Sequence, residues 1–424
     1  MESLRSMWNW GRRHPGMRGG LIAALDVGSS KVCCAIAQVH GAKDFEILGV
    51  GHQLSSGVKA GVVIDMEEVI TSIVNAVHTA EKMAGVTIRD IIVSVNGTQL
   101  KSVNLALEMS VSGHPINDSD VRRILLQAKA SQEDPSFQTL HTVPTGYALD
   151  GTKGIRDPRG MHGDRLWVSI YTLFSKTSPL YNLSTCVARS HLEVASLVAA
   201  PYASGLACLV EDEMELGVIH IDMGGSTTSF AVFHEGQLRY AECIPIGGSH
   251  ITMDIARGFS TTLINAERLK TLYGSATPSV ADEREMIVVP LVGEKKGEGT
   301  NQMPRSALVS IIRPRVEETF EYVRDRLLKA GIDQFMGGRV VLTGGASQLA
   351  GAREVASMIL GRNIRLGKPL HLVSSEFSQD PSFATCAGLL SYGQAEHAAY
   401  LQAFPQKKSK QVFTHIGSFI RQIW

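Results

Sequence analysis

The sequence predicts an α/β protein of two related halves folded around a cleft, with a small α+β subdomain inserted and an amphipathic helix at the C-terminus. Three observations lead there. From Leu21 onward, β-rich and helical stretches alternate along the chain, as they do in α/β architectures. The stretch LIAALDVGSSKVCCAIAQVHGAKDFEILGVG from Leu21 is echoed by VIHIDMGGSTTSFAVFHEGQLRYAECIPIG from Val218, about 200 residues later. The last thirteen residues, VFTHIGSFIRQIW, carry a helical period with one apolar face.

Composition sets the outer bounds. A chain of 424 residues with 44% hydrophobic and 19% charged residues can bury sizeable cores and is not broadly disordered. Six cysteines with no C-x-x-C spacing do not make a disulfide scaffold. No run of about 20 unbroken apolar residues offers a transmembrane helix. The richest stretch, Val194 to Val210, contains Pro201, Gly205 and two serines and reads as a buried element. The net charge is zero, from 41 basic and 41 acidic side chains, and that total conceals an uneven distribution. Residues 1–20 hold Arg5, Arg12, Arg13 and Arg18 against Glu2, which is +3. Residues 405–424 hold Lys407, Lys408, Lys410 and Arg421 with no acid, which is +4, so the body carries −7. No nucleic-acid partner is expected.

In chain order, residues 1–20 lack the apolar core of a secretory signal and read as a basic, disordered arm, with a weak auxiliary contact to anions or a membrane as the alternative. Residues 21–89 and 176–217 form the first half. Within the echo Asp26 matches Asp222, Gly28 matches Gly224, Ser30 matches Ser226 and Ala35 matches Ala231. Residues 90–175 read as the inserted subdomain. DIIVSVNGTQLKSVNLALEMSV looks like paired strands, and INDSDVRRILLQAKA like a helix capped near Asn117 to Ser119. That helix places Val121, Ile124, Leu125 and Ala128 on one face. HTVPTGYALD and RLWVSIYTLF supply further strands. The second half takes residues 218–248 and 335–400, interrupted by a second subdomain at 249–334 with GEKKGEGTNQMP as a loop. A helix, RPRVEETFEYVRDRLLKAG, then leads into strand RVVLTGGAS. Residues 401–411 are a polar linker to the terminal helix, 412–424.

The echo suggests chemistry at the cleft. Small residues at Gly28, Ser29, Ser30 and at Gly224, Gly225, Ser226 allow hairpin N–H groups to converge on phosphate oxygens. Thr227 and Thr228 add hydroxyls, and Lys31 a positive charge. A carboxylate facing phosphates is repelled unless Mg²⁺ or its waters intervene, so Asp26 and Asp222 are candidate outer ligands of a nucleotide-bound Mg²⁺. Either loop alone reads as an ordinary β-hairpin turn; two at matching places do not. A third turn, Gly344-Gly345 with Ser347 near a helix start, suits a flat ring or ribose. Phosphate-loop and dinucleotide motifs are missing from the sequence. The fourteen histidines show no zinc spacing.

With LDVGSS, IDMGGSTT and LTGGAS in this order, the chain resembles the actin / sugar kinase / heat-shock chaperone superfamily. Further matches make it similar to the FtsA family of actin-like bacterial cell-division proteins. They are HTVPTGYALDG and GIRDPRGMHGDRL in the insert, CLVEDEMELGV, IPIGGSHITMDIA, AERLKTLYGSA, IIRPRVEE, FATCAGLL and the basic amphipathic terminus. The resemblance implies actin-like, duplicated ribonuclease-H-like domains around a nucleotide cleft, ATP binding, and filament formation by self-association. It implies tethering of FtsZ, the tubulin-like ring protein, to the cytoplasmic face of the inner membrane at the septum, and recruitment of other division proteins. It also implies that Glu267 and Lys270 touch the nucleoside, and that Arg313, Arg315 and Glu318 of 249–334 meet the acidic C-terminal peptide of FtsZ. Those arginines could equally be solvated or pair with Glu317 and Glu318. The family commonly has D-I-G-G-G-T-T-D where this chain has Ser226 and Ser229, which puts efficient hydrolysis in doubt more than binding. At most weak ATPase activity is expected. A pilus-assembly adaptor or a small-molecule kinase of the same superfamily are the competing readings.

The tail is read from its own residues. At about 100° per residue, Val412, Phe413, Ile416, Phe419, Ile420, Ile423 and Trp424 fall within an arc of roughly 140°. Arg421 lies with Thr414, His415, Ser418 and Gln422 on the other side. Such a helix is about 20 Å long, too short to span a bilayer. After the KKSK cluster it suits lying in the interface of an anionic membrane, with self-association multiplying a weak single contact. The alternative is a terminal helix packed on the body or on a partner.

Overall fold

The computed structural model describes residues 20–40, 45–111, 113–131, 134–293, 300–332, 335, 337–370 and 380–403. The chain opens with strands β1 (Leu21–Val27), β2 (Lys31–Val39) and β3 (Phe45–Leu54). A short hairpin, β4 (Val58–Lys59) and β5 (Val62–Val63), leads to helix α1 (Met66–Ala84) and strand β6 (Asp90–Val95). Then come β7 (Leu100–Ser110), α2 (Asp118–Ser131), β8 (Phe137–Leu149), β9 (Thr152–Ile155) and β10 (Arg165–Lys176). Helix α3 (Thr177–Arg189), strand β11 (Glu193–Ala199) and helices α4 (Ala200–Cys208) and α5 (Glu211–Leu216) complete this part. The second half begins with β12 (Val218–Met223), β13 (Thr228–His234) and β14 (Gln237–Ile244), followed by α6 (Gly248–Gly258) and α7 (Leu263–Tyr273). Strands β15 (Met286–Pro290) and β16 (Thr300–Pro304) precede α8 (Arg305–Lys329), β17 (Arg339–Thr343), α9 (Ala352–Leu360), β18 (Asn363–Leu366) and α10 (Ala384–Ala403).

The duplication is visible in the sheets. One runs β3-β2-β1-β6-β11 and the other β14-β13-β12-β17-β18, the same order of three antiparallel and two parallel strands. Register is repeated too: Asp26 lies opposite Cys33, and Asp222 opposite Ser229, seven residues on in each case. The central strands are buried on both faces, which is why they read as unbroken apolar runs. Two cores fill the halves, and the first also takes in Val218, Ala231, Phe233 and Val341 of the second sheet. The first gathers Leu25, Ile36, Ile73, Val93 and Leu197; the second gathers Ile221, Phe230, Ile312, Phe320 and Leu342. Helix α1 shows how local sequence sets this packing. Asp65 caps it by accepting from the N–H groups of Glu67 and Glu68, at 3.0 and 3.2 Å. Val69, Ile73, Ala76, Val77 and Ala80, spaced three and four apart, form its buried stripe.

The insert forms a four-stranded antiparallel sheet, β7-β10-β8-β9, with α2 packed on it. Val121, Ile124 and Ala128 of α2 are buried against Leu166, Val168 and Ile170, with Leu125 partly buried beside them. Asn117 accepts from the N–H of Ser119 at 2.8 Å where the helix starts.

Four expectations are corrected here. Residues 90–95 are not part of the insert: β6 pairs in parallel with both β1 and β11 in the first sheet. Its run of buried residues marks a central strand, whereas β7 alternates between exposed and covered positions. Residues 384–403, grouped with the second half and the linker, form α10, where Cys386, Ala387, Leu389 and Leu390 join the first core. Thr300–Pro304 of the expected loop is a strand, made by pairing with β15 rather than by hydrophobic content. The helix expected from Arg313 begins at Arg305 and carries Pro314 within it. Residues 1–19 of the arm and the whole terminal helix, 412–424, lie outside the described residues.

Candidate functional site

The two echoing hairpins meet at a cleft of about 1080 Å³. Each is closed by the same bond: Gly28 N donates to Lys31 O at 3.0 Å, and Gly224 N donates to Thr227 O at 2.8 Å. The loops also touch each other. Ser226 Oγ donates to Ser29 Oγ at 2.5 Å, and a Cβ on Gly225 would lie 2.9 Å from Ser30 Cβ. Ser226 Oγ in turn accepts from Ala60 N at 3.0 Å. This seryl hydroxyl is therefore occupied at the loop contact, and among the hairpin residues Ser226 does not line the cleft.

Two carboxylates lie where the strands end. Asp26 is buried and accepts from Ser94 Oγ at 2.6 Å and from Asn96 Nδ2 at 3.2 Å. Burial nonetheless pushes its pKa up, against those two bonds and the charge of Lys31. Asp222 accepts from Thr385 Oγ1 at 3.1 Å. Its pKa is pushed up to about 6, by burial first and by the negative charge of Asp26 second. Lys31 donates to Ser382 Oγ at 2.5 Å, and its ammonium lies 3.4 Å from the centre of the Phe383 ring. Burial lowers its pKa, while Asp26 and Asp380 hold on to its charge. The site thus joins two carboxylates that repel each other with one poorly solvated cation.

Gly344 closes the floor. Its φ of +89° is a backbone state that favours glycine, and a Cβ there would lie 2.3 Å from Asp222 Oδ1. The following residues make a single 3₁₀ turn, Gly345–Gln348, rather than the start of a helix, which begins only at Ala352. Ser347 is buried, donates to Gly344 O at 2.7 Å and turns away from the cleft. Its expected place at the ligand is corrected: the hydroxyl closes the turn instead.

On the opposite wall, α7 supplies Glu267 and Lys270. Lys270 Nζ donates to Gly248 O at 3.1 Å, Thr252 Oγ1 at 2.9 Å and Glu267 Oε2 at 2.7 Å. Asp26, Gly28, Ser29, Ser30, Lys31, Asp222, Gly224, Gly225, Thr227, Glu267, Lys270, Gly344 and Gly345 therefore line one cleft. Sequence reasoning missed Asn96, Ser249, Arg305, Ser382 and Thr385, which line it as well. Asn96 carried a signal, a polar residue ending the apolar run of β6. Arg305 carried none, since its place depends on bonds to Tyr273 O at 2.8 Å and Asp282 Oδ1 at 2.7 Å.

The arginines of α8 take up partners within the chain. Arg315 donates through Nε and Nη2 to the two carboxylate oxygens of Asp254, at 2.6 and 3.2 Å, and also binds Glu318. Arg313 Nε donates to Glu317 Oε1 at 2.7 Å. Pairing with neighbouring acids, one of the alternatives open from the sequence, is what the structure contains. Phe413, Ile416, Phe419, Ile420, Arg421, Ile423 and Trp424 lie outside the described residues.

The sequence profile of the cell division protein FtsA matches residues 219–388, and that of the SHS2 domain inserted in FtsA matches residues 97–173. The cell division protein FtsA of Rhizobium meliloti is 41% identical over 423 residues, covering 96% of each chain. Among solved structures, a PilM–PilN type IV pilus biogenesis complex superposes with a TM-score of 0.62 at 16% identity, covering 89% of this chain and 99% of that one. MreB 5 of Spiroplasma citri bound to AMPPNP gives 0.54 at 12% identity, covering 91% and 99%.

Proposed function

The chain belongs to the FtsA family of cell division proteins, and on that premise we propose that it binds Mg²⁺–ATP in its cleft and anchors FtsZ filaments to the membrane. It is an actin-like cell-division protein.

One observation carries the nucleotide reading: two hairpins of identical register meet over a buried Asp26 and a partly buried Asp222 whose charges repel each other. Phosphates fit against the hairpin N–H groups, with Lys31 alongside. The acids fit a divalent cation. Asp222 holds its proton up to about pH 6 partly because Asp26 is charged, and a magnesium ion brought in by the nucleotide would supply the charge that lets both ionise. Gly344-Gly345 leaves space for the ribose or base, and Lys270 with Glu267 offers polar contacts on the far wall. Ser229 lines the cleft where a relative's carboxylate could orient water, so hydrolysis is slow and binding is what the site provides. Affinity for a fluorescent ATP analogue, measured with and without Mg²⁺, tests this. Tight binding that needs Mg²⁺ is expected, and none in either condition would overturn the reading.

Residues 412–424 place the protein at the cytoplasmic face of the membrane as an interfacial helix. No helix among the described residues is long and apolar enough to cross one, and the terminal helix supplies an attachment that needs no crossing. The FtsZ peptide is placed on α8 at Arg313, Arg315 and Glu318. An acidic peptide docking there exchanges the bonds that Arg315 makes to Asp254 and Glu318, which sets a threshold against weak competitors. Filament formation gives each tail its neighbours' help in binding lipid.

A further inference from the structure

We infer that Arg305 is the residue by which the cleft selects its nucleotide, holding a purine base against the plane of its guanidinium. The inference rests on the nucleotide reading of the cleft and adds to it a choice of base.

Two walls lead away from the hairpins. One starts at Gly344, packed on Asp222, and runs through the turn Gly345–Gln348 to Ala350. The other starts at Gly248, whose N–H donates to Gly224 O at 3.0 Å and whose carbonyl accepts from Lys270 Nζ. It continues along α7 to Tyr273 and Gly274. Beyond that the walls join: Ala276 N donates to Ala350 O at 2.7 Å, and a Cβ on Gly351 would lie 2.7 Å from Thr277 N. Arg305 is fixed near this junction. Its Nε donates to Tyr273 O at 2.8 Å and its Nη1 to Asp282 Oδ1 at 2.7 Å. It lines the cleft together with Leu272, Leu349 and Ala350. A nucleotide whose phosphates lie on the hairpins extends its base toward this end.

The chemistry of the side chain fits a flat ring. A guanidinium tied through two of its nitrogens keeps one plane, and its partner Asp282 is itself buried, so the plane is held by the body of the protein. Among the described residues no hydrogen bond to Nη2 is found, and 21% of the side chain remains accessible. Arginine stacks this flat cation on aromatic faces, and a nucleobase offers such a face. A purine, with two fused rings, covers more of the plane than a pyrimidine does, and its ring nitrogens accept from Nη2. Leu349 and Ala350 beside it add apolar surface, which suits a ring and not a phosphate. Tying α8 to residues 280–283 uses Nε and Nη1 and requires no place in the cleft. Lysine carries the same charge without the plane, and that difference separates the two roles.

The test uses the full chain and its Arg305→Lys variant, which keeps a cation beside Asp282 and Glu285. Each is titrated calorimetrically, in Mg²⁺, with ATP, CTP and inorganic tripolyphosphate. The wild type should bind ATP at least about fivefold more tightly than CTP. In Arg305→Lys, ATP affinity should fall at least about fivefold, CTP affinity should fall less, and tripolyphosphate affinity should stay the same. Equal wild-type affinity for ATP and CTP would overturn the inference, whether or not the variant folds. So would unchanged ATP affinity in the variant, or a loss of the same size for all three ligands, which marks a purely structural role. Each of these results leaves the nucleotide reading standing. A wild-type chain that binds none of the three ligands would overturn both.

Discussion

Replacing Asp222 with Asn should stabilise the protein without nucleotide and weaken its complex with Mg²⁺–ATP. The carboxyl has a folded pKa near 6 against an ordinary value of 3.8. A shift of roughly two units corresponds to about 3 kcal/mol against the ionised form, at 1.36 kcal/mol per unit. Because Asp222 keeps some access to the cleft, solvent makes this an upper bound. The sign follows from proton binding. Between pH 3.8 and 6 the folded state holds the proton more tightly than the unfolded chain, so stability falls as pH rises through that window. Above it the penalty is complete. Asn keeps the shape and can accept from Thr385, yet carries no charge. Urea unfolding should therefore show Asp222→Asn more stable than wild type by about 1–3 kcal/mol at pH 8, and nearly equal to it at pH 4. Mg²⁺–ATP affinity at pH 8 should fall by about 10- to 100-fold if Asp222 holds the cation's waters as proposed. A variant less stable at pH 8, or a gain of the same size at both pH values, would refute the claim that the surroundings of this carboxylate oppose its charge.

Other substitutions probe separate parts of the account. Gly344→Ala puts a Cβ 2.3 Å from Asp222 Oδ1 at a φ of +89°; soluble protein should retain its fold by circular dichroism but lose nucleotide binding in titration. Phe320→Ala empties a fully buried site in the second core, and chemical denaturation should record a loss of about 3–5 kcal/mol. Arg315→Glu sets a third acid beside Asp254 and Glu318; binding of the FtsZ C-terminal peptide, followed by fluorescence anisotropy, should drop at least about tenfold, as expected when a charged partner is replaced by its opposite. Deleting 412–424 should abolish sedimentation with anionic vesicles and leave ATP affinity unchanged.

The duplicated fold was legible because its signal was repeated. An Asp at a strand end, a turn of small residues and a second apolar strand recur at the same spacing, and the structure gives both copies one register. The cleft-lining loops were legible for the same reason. Other parts depend on contacts that sequence does not carry. Strand β6 was placed with the insert because paired strands and a parallel central strand share the same residue types; only its neighbours distinguish them. Helix α10 crosses back to the first sheet although it follows the second, a matter of topology rather than pattern. Ser226 and Ser347 look like ligand groups in the sequence, yet their hydroxyls are used by Ser29 and Gly344. Thr385 and Arg305 are held at the cleft by partners 163 and 32 residues away in the chain, and nothing local announces either.

The central claim is that this chain links FtsZ to the membrane. It is tested most directly by mixing FtsZ polymers with anionic vesicles in Mg²⁺–ATP and imaging where the polymers go. The full chain should gather FtsZ polymers on the vesicle surface, and the chain lacking 412–424 should leave them in solution. Equal recruitment by both chains, or none by either, would contradict the account.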